Sequence, residues 1–184
     1  MTLSTTLFIT GCLIALITLI AIIWSIFVPR KRIWPPKKYT NLTPFLIWIP
    51  TFTLFGILIS LGIMEWGEFY LPTWVRYWIG IPIIILANIA VWYEAGKFGM
   101  KQTGGAVGTL KTSGLYRFSR NPQYVADISM ILGWIILSCS PMTLLLGIMG
   151  ILVLIIAPFS EEIWLKEVYW EPYKDYISNV RRFF

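Results

Sequence analysis

The distribution of hydrophobic residues divides the chain into five long apolar segments that are separated by more polar ones. A membrane-spanning helix needs about 20 consecutive, mainly apolar residues, with a wide tolerance. The segments that meet or approach this length are 3–28, 45–64, 74–92, 124–138 and 142–159. The pattern therefore predicts an all-α, polytopic membrane protein with about five transmembrane helices. The first apolar run is too long for the core of a signal peptide and lacks a small-residue cleavage pattern, so we interpret it as a true span.

The last two predicted spans are short, and the sequence Ser-Cys-Ser-Pro at 138–141 lies between them. Proline fits the first turn of a helix and disrupts its interior, so Pro141 indicates a turn followed by a new helix. We therefore expect a tight C-terminal helical hairpin. Beyond it, apolar and aromatic residues recur at roughly helical spacing, namely Leu165, Tyr169, Tyr173, Tyr176 and Val180. This spacing predicts an interfacial C-terminal helix.

The basic residues indicate how the predicted spans are oriented. If the N-terminus is outside, segments 29–44, 93–123 and 160–184 are inside, and they hold every one of the 15 Lys and Arg residues except Arg76. Positively charged loops remain on the cytoplasmic side, so the sequence predicts an outside N-terminus and a cytoplasmic C-terminus. The net charge of +6 then suits an anionic lipid bilayer surface, and it does not indicate nucleic-acid binding.

The composition narrows the chemistry that the chain can perform. Hydrophobic residues make up 57% of it, more than an ordinary soluble domain contains. There is no histidine, and the two cysteines, Cys12 and Cys139, lie in apolar runs. They define neither a disulfide framework nor a metal site. Histidine-ligated haem, histidine-rich di-iron chemistry and histidine proton relays are excluded, so any general base is a carboxylate, a tyrosine or the substrate itself.

The two halves of the chain differ in polarity. Residues 1–92 form three nearly uniform lipid-phase spans. Residues 93–184 contain a glycine-rich cytoplasmic loop, the hairpin and the tail, together with most polar and charged groups. The loop matches no phosphate-binding pattern. We expect any chemistry to lie in the second half, at the cytoplasmic side.

A group of polar residues precedes and enters the fourth predicted span. Asn121 followed by Pro122 is a favourable start for a helix. Asp127 lies one turn further on, where a carboxylate costs up to about 2.5–3.5 kcal/mol at mid-membrane and less near the interface. We expect Asp127 either to pair with Arg117 or Arg120 or to serve a function.

Two adjacent carboxylates, Glu161 and Glu162, follow the fifth predicted span. Glu162 and Lys166 have the i,i+4 spacing of a helical ion pair. Neighbouring carboxylates repel each other, so the second carboxylate is expected to need a cation from elsewhere, such as a ligand.

Two segments together resemble the isoprenylcysteine carboxyl methyltransferases and related membrane phospholipid methyltransferases: LKTSGLYRFSRNPQY at 110–124 and EEIWLKEVYWEPYKDYISNVRRF at 161–183. The residues that fall on the family's pattern are, in order, Gly114, Tyr116, Arg117, Arg120, Pro122, Tyr124, Glu161, Glu162, Leu165, Tyr173, Tyr176, Val180, Arg182 and Phe183. The resemblance covers about residues 96–184. It departs at Asn121, where the family usually has a histidine, and asparagine forms hydrogen bonds but does not titrate.

The resemblance implies an integral membrane methyltransferase that uses S-adenosyl-L-methionine on a lipophilic acceptor, such as an isoprenylcysteine-like carboxylate or another lipidated substrate. The cofactor-binding residues that it implies are Tyr116, Asn121, Pro122, Tyr124, Glu161 and Glu162. Arg182 would hold an acceptor carboxylate or phosphate with its guanidinium fork, and Arg120 and Asp127 are the other catalytic candidates. Neutralisation of a sulfonium by an anionic acceptor is favoured at low dielectric and needs positioning but no base. The resemblance implies no metal.

The sequence leaves several alternatives open. An isoprenylcysteine, a phospholipid amine, a phenol and a thiol all remain as acceptors, and an amine or phenol would need Asp127 or Glu94 as proton acceptor. A steroid-reductase-like, NADPH-dependent membrane oxidoreductase also carries an Arg-x-Pro-x-Tyr segment, as at 120–124 here. A non-enzymatic transporter or membrane subunit is the third class. It would need polar residues at mid-depth, and Asn88 and Asp127 are too few to trace a pathway.

Overall fold

Helices form every regular element of the chain that the computed structural model describes, which is residues 2–183 without the side chains of Phe98 and Met100. In chain order the α-helices are α1 (Leu3–Phe27), α2 (Thr43–Met64), α3 (Thr73–Val75), α4 (Ile81–Phe98), α5 (Met100–Thr103), α6 (Pro122–Ser138) and α7 (Pro141–Asn179). The all-α architecture predicted from the hydrophobic pattern is confirmed.

Four helical segments in the described range are long and apolar enough to cross a membrane: Leu3–Phe27, Thr43–Met64, Thr73–Lys97 and Pro141–Asn179. The third runs from α3 through a π-helical turn into α4 and continues beyond residue 92, where the sequence placed its end. Helix α6 is apolar and has 17 residues. Its length is about 25 Å at about 1.5 Å per residue, which approaches the hydrocarbon thickness of about 30 Å. The protein is therefore a multi-pass membrane protein.

The predicted hairpin joins α6 to α7. Cys139 ends α6 in the left-handed conformation with φ of 52°, and the Ser140 hydroxyl accepts a hydrogen bond from the Thr143 backbone N–H at 3.1 Å. Pro141 lies in the first turn of α7, as the sequence predicted. The 39 residues of α7 would extend about 60 Å, twice the hydrocarbon thickness. The tail is helical as predicted. The helix of the last span continues without a break up to Trp170, whose non-helical φ of 47° and ψ of -118° divide α7 into two helical segments.

The hydrophobic core lies where α1, α2, α6 and α7 meet. Its buried residues are Ala15, Ile57, Leu58, Leu61, Ile131, Ile135 and Leu146. Glycines bring the helices close together. A Cβ atom at Gly11 would lie 2.7 Å from Leu146, and one at Gly80 would lie 3.1 Å from the Gly133 carbonyl oxygen. Small residues at such contacts allow tight helix packing inside a membrane.

The polar segments of the chain gather at the two ends of the helix bundle. At one end, which we call the polar end, segments 28–42, 94–121 and 160–183 contact one another. Arg32 pairs with Glu167 at 3.2 Å. The α2–α3 loop meets the hairpin turn at the opposite end. The three segments that the charge pattern placed on one side of the membrane therefore lie at one end of the fold.

Candidate functional site

Glu162 is the centre of a buried ion cluster at the polar end. Arg182 donates from Nε to Glu162 Oε1 at 2.7 Å and from Nη2 to Oε2 at 2.9 Å, and Arg120 donates from Nη2 to Oε1 at 2.9 Å. The Arg120 and Glu162 side chains are each 8% exposed. Hydrogen bonding to Glu162 raises the pKa of the Arg182 guanidinium, which therefore stays charged. The expected pair of Glu162 with Lys166 does not form within the described range, because two arginines from other segments occupy the carboxylate.

The turn before α6 holds the C-terminal tail through its backbone. Arg120 N–H donates to the Arg181 carbonyl at 2.9 Å. The Ser119 hydroxyl and the Asn121 Nδ2 both donate to the Arg182 carbonyl, at 3.2 and 3.0 Å. Asn121 occupies the N-cap position of α6, yet its side chain makes no capping hydrogen bond, because it reaches the tail. The two motif segments are thus in direct contact.

Glu161 has a different environment from its neighbour. Its Oε1 accepts hydrogen bonds from Trp34 Nε1 at 2.8 Å and from the Tyr124 hydroxyl. Within residues 2–183 no group donates to its Oε2, and no lysine or arginine pairs with its carboxylate. A carboxylate whose donors are all neutral attracts a cation. The sequence predicted that one of the two adjacent carboxylates would need a cation from elsewhere; Glu161 is the one without a cationic partner among the described residues, and its cationic ligand stays a prediction.

Tyr116 lies on a neighbouring turn that Glu94 anchors. The buried Glu94 carboxylate accepts a hydrogen bond from Leu115 N–H at 3.0 Å. Gly114 has φ of 68°, and a Cβ atom there would lie 3.0 Å from the Glu94 Oε1. Burial raises the pKa of the Tyr116 hydroxyl well above its usual value, and the charges of Glu161 and Glu94 raise it further. Tyr116 is therefore a neutral phenol at physiological pH.

Asp127 lies one turn inside α6 and is partly buried. Its carboxylate forms no hydrogen bond and no ion pair with the part of the chain that the structure describes. Pairing with Arg117 or Arg120 was one of two expectations, and it is not observed. Arg120 is bound to Glu162, and Arg117 lies against an aromatic ring. An unpaired carboxylate in an apolar helix is costly and is most often functional.

Arg120 also carries an unused donor. Its Nε is buried and has no hydrogen-bond partner among the described residues. A buried donor without an acceptor costs about 1–3 kcal/mol, so such a group calls for an explanation. Together with the free Oε2 of Glu161, it provides one site for a negative group and one for a positive group. A ligand that carries both charges would match these two groups.

Trp34 is the side chain at this site that the sequence did not reveal. It lies in the basic loop after α1, inside the half that was expected to be only a lipid-phase bundle. A signal was present, since a tryptophan and two prolines interrupt a run of lysines and arginines at 30–38. The division at residue 92 stays a prediction, and the hydrogen bond from Trp34 to Glu161 connects its two halves.

The fold and this site together define a multi-pass helical membrane protein with a charged site at one end of its bundle. Residues 70–171, more than half of the chain, match the family model of the phospholipid methyltransferases. The chain belongs to this family of membrane methyltransferases that act on lipids. The resemblance inferred from the two motifs is thereby confirmed. No curated protein and no solved structure matches the chain significantly.

The matched range contains most of the site. It includes Tyr116, the turn before α6, Asp127 and the two adjacent carboxylates. It begins after Trp34 and ends before Arg182. The two side chains that complete the hydrogen bonding of the carboxylates therefore come from outside the matched residues. The family assignment favours methyl transfer over the NADPH-dependent and transport alternatives.

Proposed function

We propose that the protein transfers a methyl group from S-adenosyl-L-methionine to a lipid at the polar end of the bundle. One observation supports this most directly: the Glu161 carboxylate has neutral donors and no cationic partner in the described chain. The cofactor carries an ammonium, a sulfonium and a carboxylate. Glu161 Oε2 suits a positive group, and the unused Arg120 Nε suits the carboxylate. The residues present therefore fit this cofactor.

Each predicted pocket residue receives a definite role in this proposal. Glu162 fixes Arg120 and Arg182 and acts on the cofactor through them. Asn121 ties the C-terminal tail to the pocket. Pro122 starts α6, which places the Tyr124 hydroxyl on the Glu161 carboxylate. Pro122 and Asn121 therefore shape the pocket wall.

When bound, the cofactor supplies an electrophilic methyl group on its sulfonium. The neutral rings of Tyr116 and Tyr124 can face that cation, because an aromatic face attracts positive charge. When it is ionised, the carboxylate of Glu161 adds a negative charge, which a site of low dielectric makes more effective. In this proposal these residues bind the cofactor and take no proton from the acceptor.

A phospholipid amine is the acceptor that the structure favours. An amine nitrogen that forms a bond to the methyl carbon must lose a proton, while the carbon–sulfur bond breaks and S-adenosylhomocysteine leaves. The unpaired Asp127 carboxylate can take that proton. Glu94 suits this role less well, since its carboxylate already anchors the Leu115 backbone.

An isoprenylcysteine-like carboxylate is the second candidate acceptor. Arg182 favours it, because its side chain is 31% exposed and only Nε and Nη2 are used on Glu162. The remaining Nη1 can bind a substrate carboxylate. This reaction needs no base, since the attacking oxygen is already charged. The two acceptors therefore differ in whether Asp127 is required.

We further propose that the polar end faces the cytoplasm, with the N-terminus outside. Every Lys and Arg except Arg76 belongs to the three segments that meet at this end. Arg76 donates to the Leu137 carbonyl at the opposite end of the bundle, at 3.0 Å. Positive charge marks the cytoplasmic side, where soluble cofactor is also available.

The experiment that tests the proposed function uses the purified protein in lipid vesicles with methyl-labelled S-adenosyl-L-methionine. Amine phospholipids and a farnesylated cysteine are supplied separately. We expect label in the amine lipid with the wild type, and a loss of at least tenfold in Asp127→Asn and in Glu161→Gln. Glu171→Gln is the matched control, since Glu171 is 61% exposed and its one ion pair among the described residues is with Lys174.

The possible outcomes separate the alternatives. Label in the farnesylated cysteine, unaffected by Asp127→Asn, would replace the amine by the carboxylate acceptor. Absence of label from every lipid would contradict methyl transfer. Protection against thermal unfolding by NADPH, with none from S-adenosyl-L-methionine, would support the oxidoreductase alternative instead.

A further inference from the structure

The loop after α1 contains a short segment, residues 32–36, that is attached to the polar end at several points; we call it the strap. Arg32 Nε donates to the Pro35 carbonyl at 3.1 Å, and Arg32 Nη1 donates to Glu167 on α7 at 3.2 Å. Pro35 is fully buried. A Cβ atom at Gly105, in the glycine-rich loop, would lie 2.8 Å from Pro36. The strap therefore joins the end of α1 to α7 and to the glycine-rich loop.

The backbone of Trp34 is fixed from both sides. The Ser25 hydroxyl oxygen on α1 accepts hydrogen bonds from the N–H groups of Ile33 and Trp34, at 2.9 and 3.0 Å. The Ser160 hydroxyl on α7 donates to the Trp34 carbonyl. Both serines are almost completely buried, at 1% and 2% exposure. Two buried polar side chains thus serve to hold this one residue.

The side chain of Trp34 is directed by this attachment to the carboxylate next to Ser160. Its Nε1 donates to Glu161 Oε1 at 2.8 Å, the same oxygen that accepts from the Tyr124 hydroxyl. Two donors on one oxygen fix the plane of the carboxylate. The other oxygen, Oε2, has no donor from any residue in the range 2–183. A single donor would not fix the plane, because the torsion that rotates the carboxylate group of glutamate has a broad energy minimum.

We propose that Trp34 is a positioning residue for methyl transfer, whose indole N–H holds the Glu161 carboxylate so that Oε2 faces the cationic group of the ligand. This inference rests on the proposed function. It assigns a role to a residue outside the range 70–171 that matches the family model. Trp34 itself touches neither the acceptor nor the transferred methyl group in this account.

The variant that tests this role is Trp34→Phe, which removes the indole donor and keeps an aromatic ring. We expect the KM for S-adenosyl-L-methionine to rise about tenfold, with kcat changed by less than about threefold, because one donor to a charged acceptor is lost. The matched control is Trp24→Phe. Trp24 Nε1 also donates to this loop, to the Lys31 carbonyl at 3.1 Å, but not to the carboxylate. The Trp24→Phe variant should therefore keep KM and kcat within twofold of wild type.

A double-mutant cycle distinguishes positioning from a general structural effect. If Trp34 acts through Glu161, then Trp34→Phe should have almost no further effect on cofactor affinity in the Glu161→Gln background. The proposal would be overturned if Trp34→Phe weakened cofactor binding equally in the wild-type and Glu161→Gln backgrounds. It would also be overturned if Trp34→Phe and Trp24→Phe had equal effects on cofactor binding. If both tryptophan variants lower the thermal unfolding midpoint by the same amount, that shared fall reports the loss of loop attachment and not the positioning of Glu161.

A second readout needs no cofactor and is independent of the proposed function. In protein labelled with ¹⁵N-tryptophan, the Trp34 indole resonance is assigned by its loss in Trp34→Phe, against the remaining nine of the ten tryptophans. We expect Glu161→Gln to shift this resonance and to leave that of Trp24 in place. An unshifted Trp34 resonance would contradict the hydrogen bond. If Glu161→Gln shifts the Trp34 resonance but the wild type binds no S-adenosyl-L-methionine, the proposed function is refuted. The hydrogen bond from Trp34 to Glu161 is then still supported.

Discussion

Arg182 and Glu162 form a two-point ion pair, from Nε to Oε1 at 2.7 Å and from Nη2 to Oε2 at 2.9 Å. The pair joins the end of the chain to the helix that carries the last membrane span. The Arg182 guanidinium also lies 3.9 Å from the centre of the Phe159 ring. One face of this guanidinium and two of its nitrogens are thus engaged within the protein, so the C-terminal tail is an integral part of the site.

Loss of the Glu162 charge should destabilise the protein strongly. Glu162→Gln leaves the guanidinium of Arg120, which is 8% exposed, buried without its counter-charge, and breaking such a pair costs about 3 kcal/mol or more. For a protein of this size we expect the thermal unfolding midpoint in detergent to fall by about 6–12 °C. Glu171→Gln removes only an exposed pair and should shift it by less than about 2 °C. Similar midpoints in the two variants would contradict the buried cluster.

Two glycines on α2 provide a matched test of the helix packing. A Cβ atom at Gly62 would lie 2.5 Å from the Trp134 Nε1, whereas none of the described atoms lies within 4 Å of one at Gly56. We expect Gly62→Ala to lower the free energy of unfolding by about 1–3 kcal/mol through overpacking. Gly56→Ala should be neutral or stabilising by up to about 1 kcal/mol, because alanine favours the helix. Unfolding midpoints of the two variants in detergent provide the comparison, and the reverse order would disprove the α2–α6 contact.

The buried phenol of Tyr116 should make stability depend on pH in the alkaline range. Its pKa is raised in the folded protein by burial and by Glu161 and Glu94, while in the unfolded chain it is about 10. The contribution of this raised pKa to the free energy of unfolding is therefore complete below about pH 10. It is lost as the pH rises above that value, because the unfolded chain releases the proton first. Unfolding midpoints from pH 9 to 11 should fall more steeply for wild type than for Tyr116→Phe. Parallel curves would place Tyr116 in solvent.

The proposed orientation predicts which end of the bundle reacts with a membrane-impermeant thiol reagent. Tyr70→Cys probes the α2–α3 loop, where Tyr70 is 88% exposed. Lys174→Cys probes the polar end, where the lysine side chain is 56% exposed. We expect intact cells to label only the first variant and permeabilised cells to label both. Labelling of Lys174→Cys alone in intact cells would reverse the orientation.

The membrane spans and the hairpin were predictable because they depend on local properties of the sequence. A long apolar run identifies a span, and Pro141 identifies the start of α7. The end of α7 was less predictable. The apolar run stops near residue 159, but the residues that follow include good helix formers such as Glu161, Glu162 and Leu165, so the helix continues into the polar end.

The partners of the two carboxylates were less predictable because they are distant in sequence. The i,i+4 rule favoured Lys166 for Glu162, while the observed partners lie 42 and 20 residues away, at Arg120 and Arg182. The bond from Trp34 to Glu161 spans 127 residues. Only the packing of α1 against α7 brings the strap to this carboxylate, and no local pattern encodes that packing.

Isothermal titration of the detergent-solubilised protein with S-adenosyl-L-methionine tests the central claim most directly, namely that Glu161 is the carboxylate left for a cationic ligand. We predict micromolar binding by wild type and by Glu171→Gln, and at least tenfold weaker binding by Glu161→Gln, a loss of about 1.4 kcal/mol or more. Equal affinity of wild type and Glu161→Gln, with both variants folded, would contradict the account.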